Sequence, residues 1–308
     1  PEKYLAREDF IHFETVSGIK LRDLLSPDKN VVRRVQHEFV AQSIIANEIQ
    51  KQYFSFAFPF IVYTHLFDCF ENVSNWNEAF EKLILESDMG DSLRRRHLAL
   101  SYGILPHLIE EMSAEGDRSL TIKNLGSGVG LDVIRASMKR DGRIGQVLNF
   151  DTNEQALKIG RKIVRYLEKK GDLKPDTVHF VNRSLTSSPE PADIIVMVGV
   201  ICGLQDFAAQ LLIANAYNQL NPGGKLVVSS SNENMESIDP LVSFLIQHLG
   251  TREDPLMGWG LNFRKKETLE KMLREAGYSE IAIYSDTEYP GRDALPEEIL
   301  HGIDTLPA

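Results

Sequence analysis

Cysteine is nearly absent from this chain, with 2 in 308 residues. Cys69 and Cys202 stand far apart and make no metal-type pair, so neither a disulfide framework nor a cysteine-ligated metal is expected. Long apolar runs are missing as well: no window holds about 18 uninterrupted apolar residues, which argues against a membrane span. Positive charge is in deficit, with 34 Lys and Arg against 44 Asp and Glu and a formal net charge of -10. Surfaces that track phosphates rely on Lys and Arg, so nucleic acid is not an expected partner. Arg94-Arg95-Arg96 is a local basic cluster, but three consecutive side chains on a helix point in different directions and read as a solvated face. The first residues carry charge where a signal peptide needs an apolar core, and the expectation is a reduced, cytoplasmic protein. The 43% hydrophobic and 25% charged fractions are those of an ordinary globular chain. Its length suits one large α/β domain with a smaller unit, or two modest domains.

What is present is concentrated at one place. Thr121 to Gly130 read Thr-Ile-Lys-Asn-Leu-Gly-Ser-Gly-Val-Gly, a short apolar strand running into a turn at Gly126, Gly128 and Gly130. An amphipathic helix follows, with Leu131, Val133, Ile134, Ala136 and Met138 apolar, and then a strand over 146–150 that stops at Asp151. A strand, a glycine turn, a helix and a second strand ending in an acid form the nucleoside-binding half of an open α/β sheet. The glycines let backbone approach the ligand, and the carboxylate accepts both ribose hydroxyl protons. A dinucleotide fingerprint needs glycine at position 131, where this chain has Leu131, and no lysine with Ser or Thr follows as in a P-loop. The G-x-G-x-G spacing suits a nucleoside without a pyrophosphate. A plain strand–helix turn fits the same glycines, so the rest of the chain decides.

Residues 1–117 read as mostly helical, a cap or an oligomerisation unit. Ser26-Pro27-Asp28 is a helix start with Ser26 as the capping hydroxyl, followed by an apolar stripe of Val31, Val35, Phe39, Val40, Ile44 and Ile49. The aromatic run 53–60, interrupted by Pro59, reads as a bend between helices. Large aromatics mostly serve burial, which favours the core of a cap over a pocket lining. Further helices are expected at 75–86 and 92–112, the second kinked or split by Pro106, with a boundary at 113–119. From Leu120 the pattern alternates in the βαβ manner. A helix is expected over 154–169 despite Gly160, strands over 177–181, 193–198 and 225–229, and a helix over 206–220 stopped by Asn221-Pro222-Gly223-Gly224. Residues 231–263 interrupt the alternation and read as a helical insertion (helix at 241–249) over the sheet's carboxyl edge. A helix at 267–276 and a strand at 280–284 complete a 118–308 domain. The fold class is α/β: a Rossmann-like, mostly parallel sheet with helices on both faces, preceded by an N-terminal helical cap.

Four motifs together resemble the class I S-adenosylmethionine-dependent methyltransferases over about residues 118–285: Asn-Leu-Gly-Ser-Gly-Val-Gly (124–130), Asn-Phe-Asp-Thr-Asn-Glu-Gln-Ala-Leu (149–157), the strand ending Met197-Val198-Gly199, and Leu-Asn-Pro-Gly-Gly-Lys-Leu-Val-Val (220–228). The resemblance implies S-adenosylmethionine as cofactor and methyl transfer to a small molecule, a carboxylate or another small metabolite. Gly126, Ser127, Gly128 and Gly130 would approach its methionine part and sugar, and Asp151 would hold the ribose diol. Thr152 and Asn153 would lie beside the adenine, Arg183, Ser184 and Leu185 at the adenine edge, and the carbonyls near Val198 and Gly199 would face the ammonium. The family usually has an acid where this chain has Asn124, which leaves that ammonium in need of another partner. More loosely, 259–264 and the helix after it resemble a bacterial subgroup thought to esterify hydroxy fatty acids.

The cofactor's sulfonium supplies the electrophile in this class, so no catalytic triad is required, and none is visible. Candidates for the acceptor pocket are Tyr102 and His97 before the sheet domain, and Trp259 and Arg264 in the insertion. Arg264 is suited to a bidentate pair with a substrate carboxylate, a surface arginine being the commoner case. Two other readings stay open: transfer or cyclisation of the aminocarboxypropyl group, releasing methylthioadenosine, and a non-catalytic cofactor-binding protein. The helical first third fits a homodimer interface as well as a cap.

Overall fold

The computed structural model describes residues 18, 20, 22–23, 26–42, 87–114, 119–140, 142–185, 190–234 and 262–294. The expected elements at 53–60, 75–86 and 241–249, together with Trp259, lie outside these. The chain divides into two compact units, one of Arg94–Asn232 with Asn262–Pro307, the other of Pro1–Leu93 with Glu233–Leu261.

In the second of these, helix α1 (Lys29–Gln42) fully buries Val35. Its start differs from expectation. Asp28 is the cap, its carboxylate accepting the Asn30 amide at 2.8 Å, whereas Ser26 Oγ, two residues earlier, accepts from Asp28 N–H.

The helical run before the sheet consists of α2 (Asp88–Leu98), a π-helical turn (Ala99–Ile104) and α3 (Leu105–Ala114). Pro106 does not break it. A proline ring crowds the carbonyl four residues earlier, here that of Tyr102, and the wider π turn just ahead of Pro106 relieves the crowding. That turn also seats a strap from the end of the described chain, since a Cβ on Gly103 would stand 2.5 Å from Tyr289 Cε2.

From there the chain alternates: β1 (Leu120–Leu125), α4 (Leu131–Ser137), β2 (Ile144–Asp151), α5 (Glu154–Lys170), β3 (Val178–Asn182), β4 (Ala192–Met197), α6 (Asp206–Asn218), β5 (Leu220–Val228) and α7 (Lys266–Glu275). The five strands form one parallel sheet in the order β3-β2-β1-β4-β5. A parallel sheet needs crossovers that cover both faces, and the strands accordingly read as nearly continuous apolar runs. One face carries Ile122, Val147, Ile194 and Val196 against Ile109 of α3, Val133 of α4 and Val164 of α5. The other carries Leu125, Ile195 and Met197 against Leu212 and Ile213 of α6 and Met272 of α7. Lys123 is the exception, a fully buried lysine on the central strand. Its ammonium donates to the Glu190 carbonyl and to Gln219 Oε1, and burial pulls its pKa below the ordinary lysine range.

One expected strand is missing. Residues 280–284 belong to neither strand nor helix. Their alternation reflects half-burial: Ile281 packs on the α6–α7 core, while Glu280 reaches Lys225 of β5 at 3.6 Å. Half-burial alone produces period-two sequence, with no ladder required.

Gly160 explains itself by a close approach. A Cβ there would lie 2.3 Å from Phe180 Cε1 of β3 and 2.6 Å from the Val129 carbonyl in the glycine turn. Alanine is the better helix former, yet Gly160→Ala is expected to destabilise the protein by about 1–3 kcal/mol through overpacking. Urea unfolding checks this, and an unchanged or raised midpoint would show that α5 does not press on the turn.

Candidate functional site

Because all five strands run the same way, their carboxyl ends share one edge. Successive strands leave β1 toward β2 and β3, then resume on its other side with β4 and β5, so the edge between β1 and β4 is a topological switch point. Open α/β sheets bind their ligands at such a point.

At this edge the glycine turn is tied to β2. The amides of Gly126 and Ser127 donate to the Phe150 carbonyl at 2.9 and 3.0 Å. Asp151 closes the arrangement: Oδ2 accepts the Gly128 amide at 2.7 Å and Oδ1 the Asn153 amide at 2.8 Å. A carboxylate offers about four lone-pair sites, so each oxygen keeps one for a further donor, which matches a ribose diol.

Two glycines are required here by geometry. Gly126 has φ +68, and a Cβ on it would stand 2.5 Å from Val200 Cγ2. Gly130 has φ +78, and its Cβ would meet Asn149 Oδ1 at 2.7 Å. Asn149, fully buried in β2, accepts from Asn124 Nδ2 at 2.9 Å. Asn124 is thus turned inward beneath the glycine turn and is itself 5% exposed.

On the β3 side the Arg183 amide donates to the Asp151 carbonyl at 3.2 Å, with Arg183 and Ser184 exposed and Leu185 packed against the core. Thr152 is exposed, and Asn153 caps α5 by accepting the Gln155 and Ala156 amides. On the β4 side Val198 is half-buried, and Gly199, φ +72, donates its amide to Ser229 Oγ at 2.9 Å. The cofactor candidates from β1 through β4 therefore line one continuous edge.

The acceptor-pocket candidates fare differently. His97 is 2% exposed and sits between helices. Arg135 of α4 donates to its Nε2 at 2.6 Å, which places the ring hydrogen on Nδ1, facing the Asp132 carboxylate. It latches α2 to α4. Tyr102 is half-buried with Ala99 and Tyr289. Arg264 is neither a surface arginine nor open to a substrate. At 5% exposure its Nε donates to Asp206 at 2.8 Å, its Nη1 to the Ile201 carbonyl at 2.7 Å and its Nη2 to the Leu204 carbonyl. It holds the 3₁₀ turn Ile201–Gly203 that follows β4. The basic cluster is no solvated face either: Arg94 is buried, Arg95 pairs with Asp286 at 3.1 Å, and Arg96 is half-buried near Gly199. Burial pushes the Cys202 thiol up, and the charges of Arg96 and Arg264 oppose this. An elevated thiol pKa marks a poor nucleophile.

Sequence reasoning missed Val200, Asn149, Ser229 and Arg96 as parts of this edge. A signal existed for one pair, because Asn124 and Asn149 are direct partners across β1 and β2, two amides each one residue before an apolar residue near the strand end. The described residues contain no cluster of three or more His, Cys, Asp and Glu able to hold a metal ion, and no helix long and apolar enough to cross a membrane.

A parallel sheet with a glycine turn on its first strand and an acid closing the second defines a nucleoside-cofactor enzyme. The methyltransferase domain family matches residues 94–282. The chain is 24% identical over 183 residues to the ubiquinone/menaquinone biosynthesis C-methyltransferase UbiE of Escherichia fergusonii, covering 55% of this chain and 70% of that protein. A possible exported protein from Bordetella parapertussis shares the fold with a TM-score of 0.58 at 18% identity, over 84% of this chain and 86% of that one. Magnesium protoporphyrin IX methyltransferase from Synechocystis PCC 6803, solved with bound SAH, has a TM-score of 0.49 at 14% identity, over 80% of this chain and 94% of that one. The chain belongs to the methyltransferase domain family, within the class I S-adenosylmethionine-dependent superfamily. S-adenosylmethionine is its cofactor, and the Asp151 carboxylate and the glycine cradle that a Cβ would fill both fit that nucleoside.

Proposed function

We propose that this enzyme transfers the methyl group of S-adenosylmethionine to a small-molecule acceptor by direct displacement. The observation that carries the reading is the Asp151 carboxylate at the switch point, which holds the glycine turn while keeping acceptor sites for a ribose diol. When bound, the cofactor supplies a methyl group made electrophilic by its sulfonium. The chain's own part is to hold and orient: Asp151 fixes the sugar, the bare Gly126 admits the ligand against Val200, and Ser229 sets the Gly199 backbone. Alignment of this kind supplies much of the rate in a displacement. His97 and Arg264 are committed to the fold by their hydrogen bonds. A carboxylate acceptor, already nucleophilic, would need no general base, whereas a phenol or ammonium would have to lose a proton first. A small organic acceptor also agrees with the net charge of -10.

The test is to incubate the purified protein with S-adenosylmethionine, without and then with small acids and amines, and to identify the nucleoside product by mass spectrometry. S-adenosylhomocysteine that appears only with an acceptor is the expected result. Methylthioadenosine formed well above the spontaneous background would overturn methyl transfer in favour of aminocarboxypropyl chemistry. Absence of binding would remove the cofactor reading altogether.

A further inference from the structure

The chain is acidic as a whole, with a net charge of -10, yet α5 is strongly basic. Within its 17 residues stand Lys158, Arg161, Lys162, Arg165, Lys169 and Lys170, against Glu154 and Glu168. Lys158, Lys162, Arg165 and Lys169 are all exposed and follow one another at spacings of four, three and four. At 3.6 residues per turn they fall within about 60° of arc, in a single row about 16 Å long. We propose that this row docks an acidic helical segment of a partner protein. The proposal is independent of the cofactor reading.

The fold does not neutralise the row. Glu154 accepts from Arg161 at 2.7 Å and from Asn182 of β3 at 3.0 Å, and Glu168 accepts the Asp176 amide at 3.2 Å. Both acids of α5 are thus drawn toward β3 and the loop before it. Lys158 feels the charge of Glu154, whereas Lys162, Arg165 and Lys169 form no ion pair among the described residues. Like charges three and four apart on a helix repel one another, and an anionic partner turns that repulsion into attraction.

The shape of the row selects the class of partner. It is one side chain wide and straight, so it fits a rod. A helix with Asp or Glu at the same spacing sets one carboxylate against each cation, as charged flanks do between paired helices. A lipid surface is a poorer match, because surface helices insert apolar side chains. Val164 and Leu167 of α5 are packed in the core, and the Lys170 ammonium stands over the exposed Tyr166, 4.8 Å from the ring centroid. A nucleic acid is charged all round and along its length, and so meets the repulsion of the whole acidic chain. A helix can confine its acids to one face.

Fluorescence anisotropy with the full chain tests this. The probes are a labelled synthetic helix bearing four Glu at the four-three-four spacing, and an isomer of equal composition with those Glu spread around the helix. The patterned peptide is expected to bind about 10-fold or more tightly than the isomer. Combining Lys158→Gln, Lys162→Gln, Arg165→Gln and Lys169→Gln should weaken the patterned peptide by about 10- to 100-fold, the sum of several exposed ion pairs. The same four positions changed to Glu should instead prefer a helix bearing four Lys. Thermal unfolding of the Gln variant should be unchanged or raised, which separates lost docking from a lost fold. Equal binding of patterned peptide and isomer, no binding of either, or undiminished binding by the Gln variant would overturn the proposal. The isomer comparison uses the unaltered chain and so depends on no variant folding. Tighter binding, lost in the Gln variant, to vesicles of phosphatidylserine and phosphatidylcholine or to single-stranded RNA would also overturn it, making the row a lipid or nucleic-acid surface.

Discussion

Replacing Asp151 by alanine is expected to weaken S-adenosylmethionine binding by about 100-fold or more and to lower methyl transfer in proportion. Two charge-assisted bonds to the sugar are removed, and each is worth roughly 1.5–3 kcal/mol, with about 1.4 kcal/mol to every factor of ten. The same carboxylate accepts the Gly128 and Asn153 amides, so its loss also releases the glycine turn and the entry to α5. Asp151→Asn separates the two contributions. An amide keeps one accepting oxygen but turns an N–H against one of those backbone donors, so ligand and turn compete for what remains. Calorimetry on both variants, with thermal unfolding in the absence of ligand, checks this. Methylthioadenosine should be lost along with S-adenosylmethionine, because both carry the ribose. Undiminished binding by Asp151→Ala would place the ligand elsewhere on the molecule.

Arg264→Leu is expected to destabilise the folded protein by about 2–4 kcal/mol while leaving the acceptor KM unchanged. The guanidinium satisfies the Ile201 and Leu204 carbonyls. A buried acceptor left without a donor costs about 1–3 kcal/mol. The ion pair itself adds little, because the Asp206 side chain is 66% exposed and water screens it. Arg264→Lys should recover only part of the loss, since an ammonium is not a planar fork that meets three acceptors at once. Urea unfolding measures the effect. A variant of full stability with a raised acceptor KM would return Arg264 to the substrate pocket.

These two residues also show what was legible in the sequence. The place of Asp151 at the end of β2, beside the glycine turn, was readable because it depends on local order: strand, glycine turn, helix, strand, acid. The strands were readable for a related reason, as a strand buried on both faces has to be apolar throughout, and β4 is. Arg264 was not readable. Its partners at 201, 204 and 206 lie about sixty positions earlier, and nothing near position 264 records them. The same holds for Arg94 to Arg96, where a run of like charge suggested solvent and the fold supplied burial and an ion pair. At 280–284 the pattern was real but its cause was misjudged, because contact with a core on one side produces the alternation that a ladder would. At Asn124 the missing acid was visible, whereas its inward turn depends on Asn149, which the register of β1 against β2 brings opposite.

The His97 latch has a consequence for how the glycine loop is held. It joins α2 to α4, whose first turn follows directly on Gly130. The base of the loop is thereby braced inside the fold, by an imidazole between a carboxylate and a guanidinium. A loop braced in this way is ordered before a ligand arrives, so binding does not have to supply that ordering.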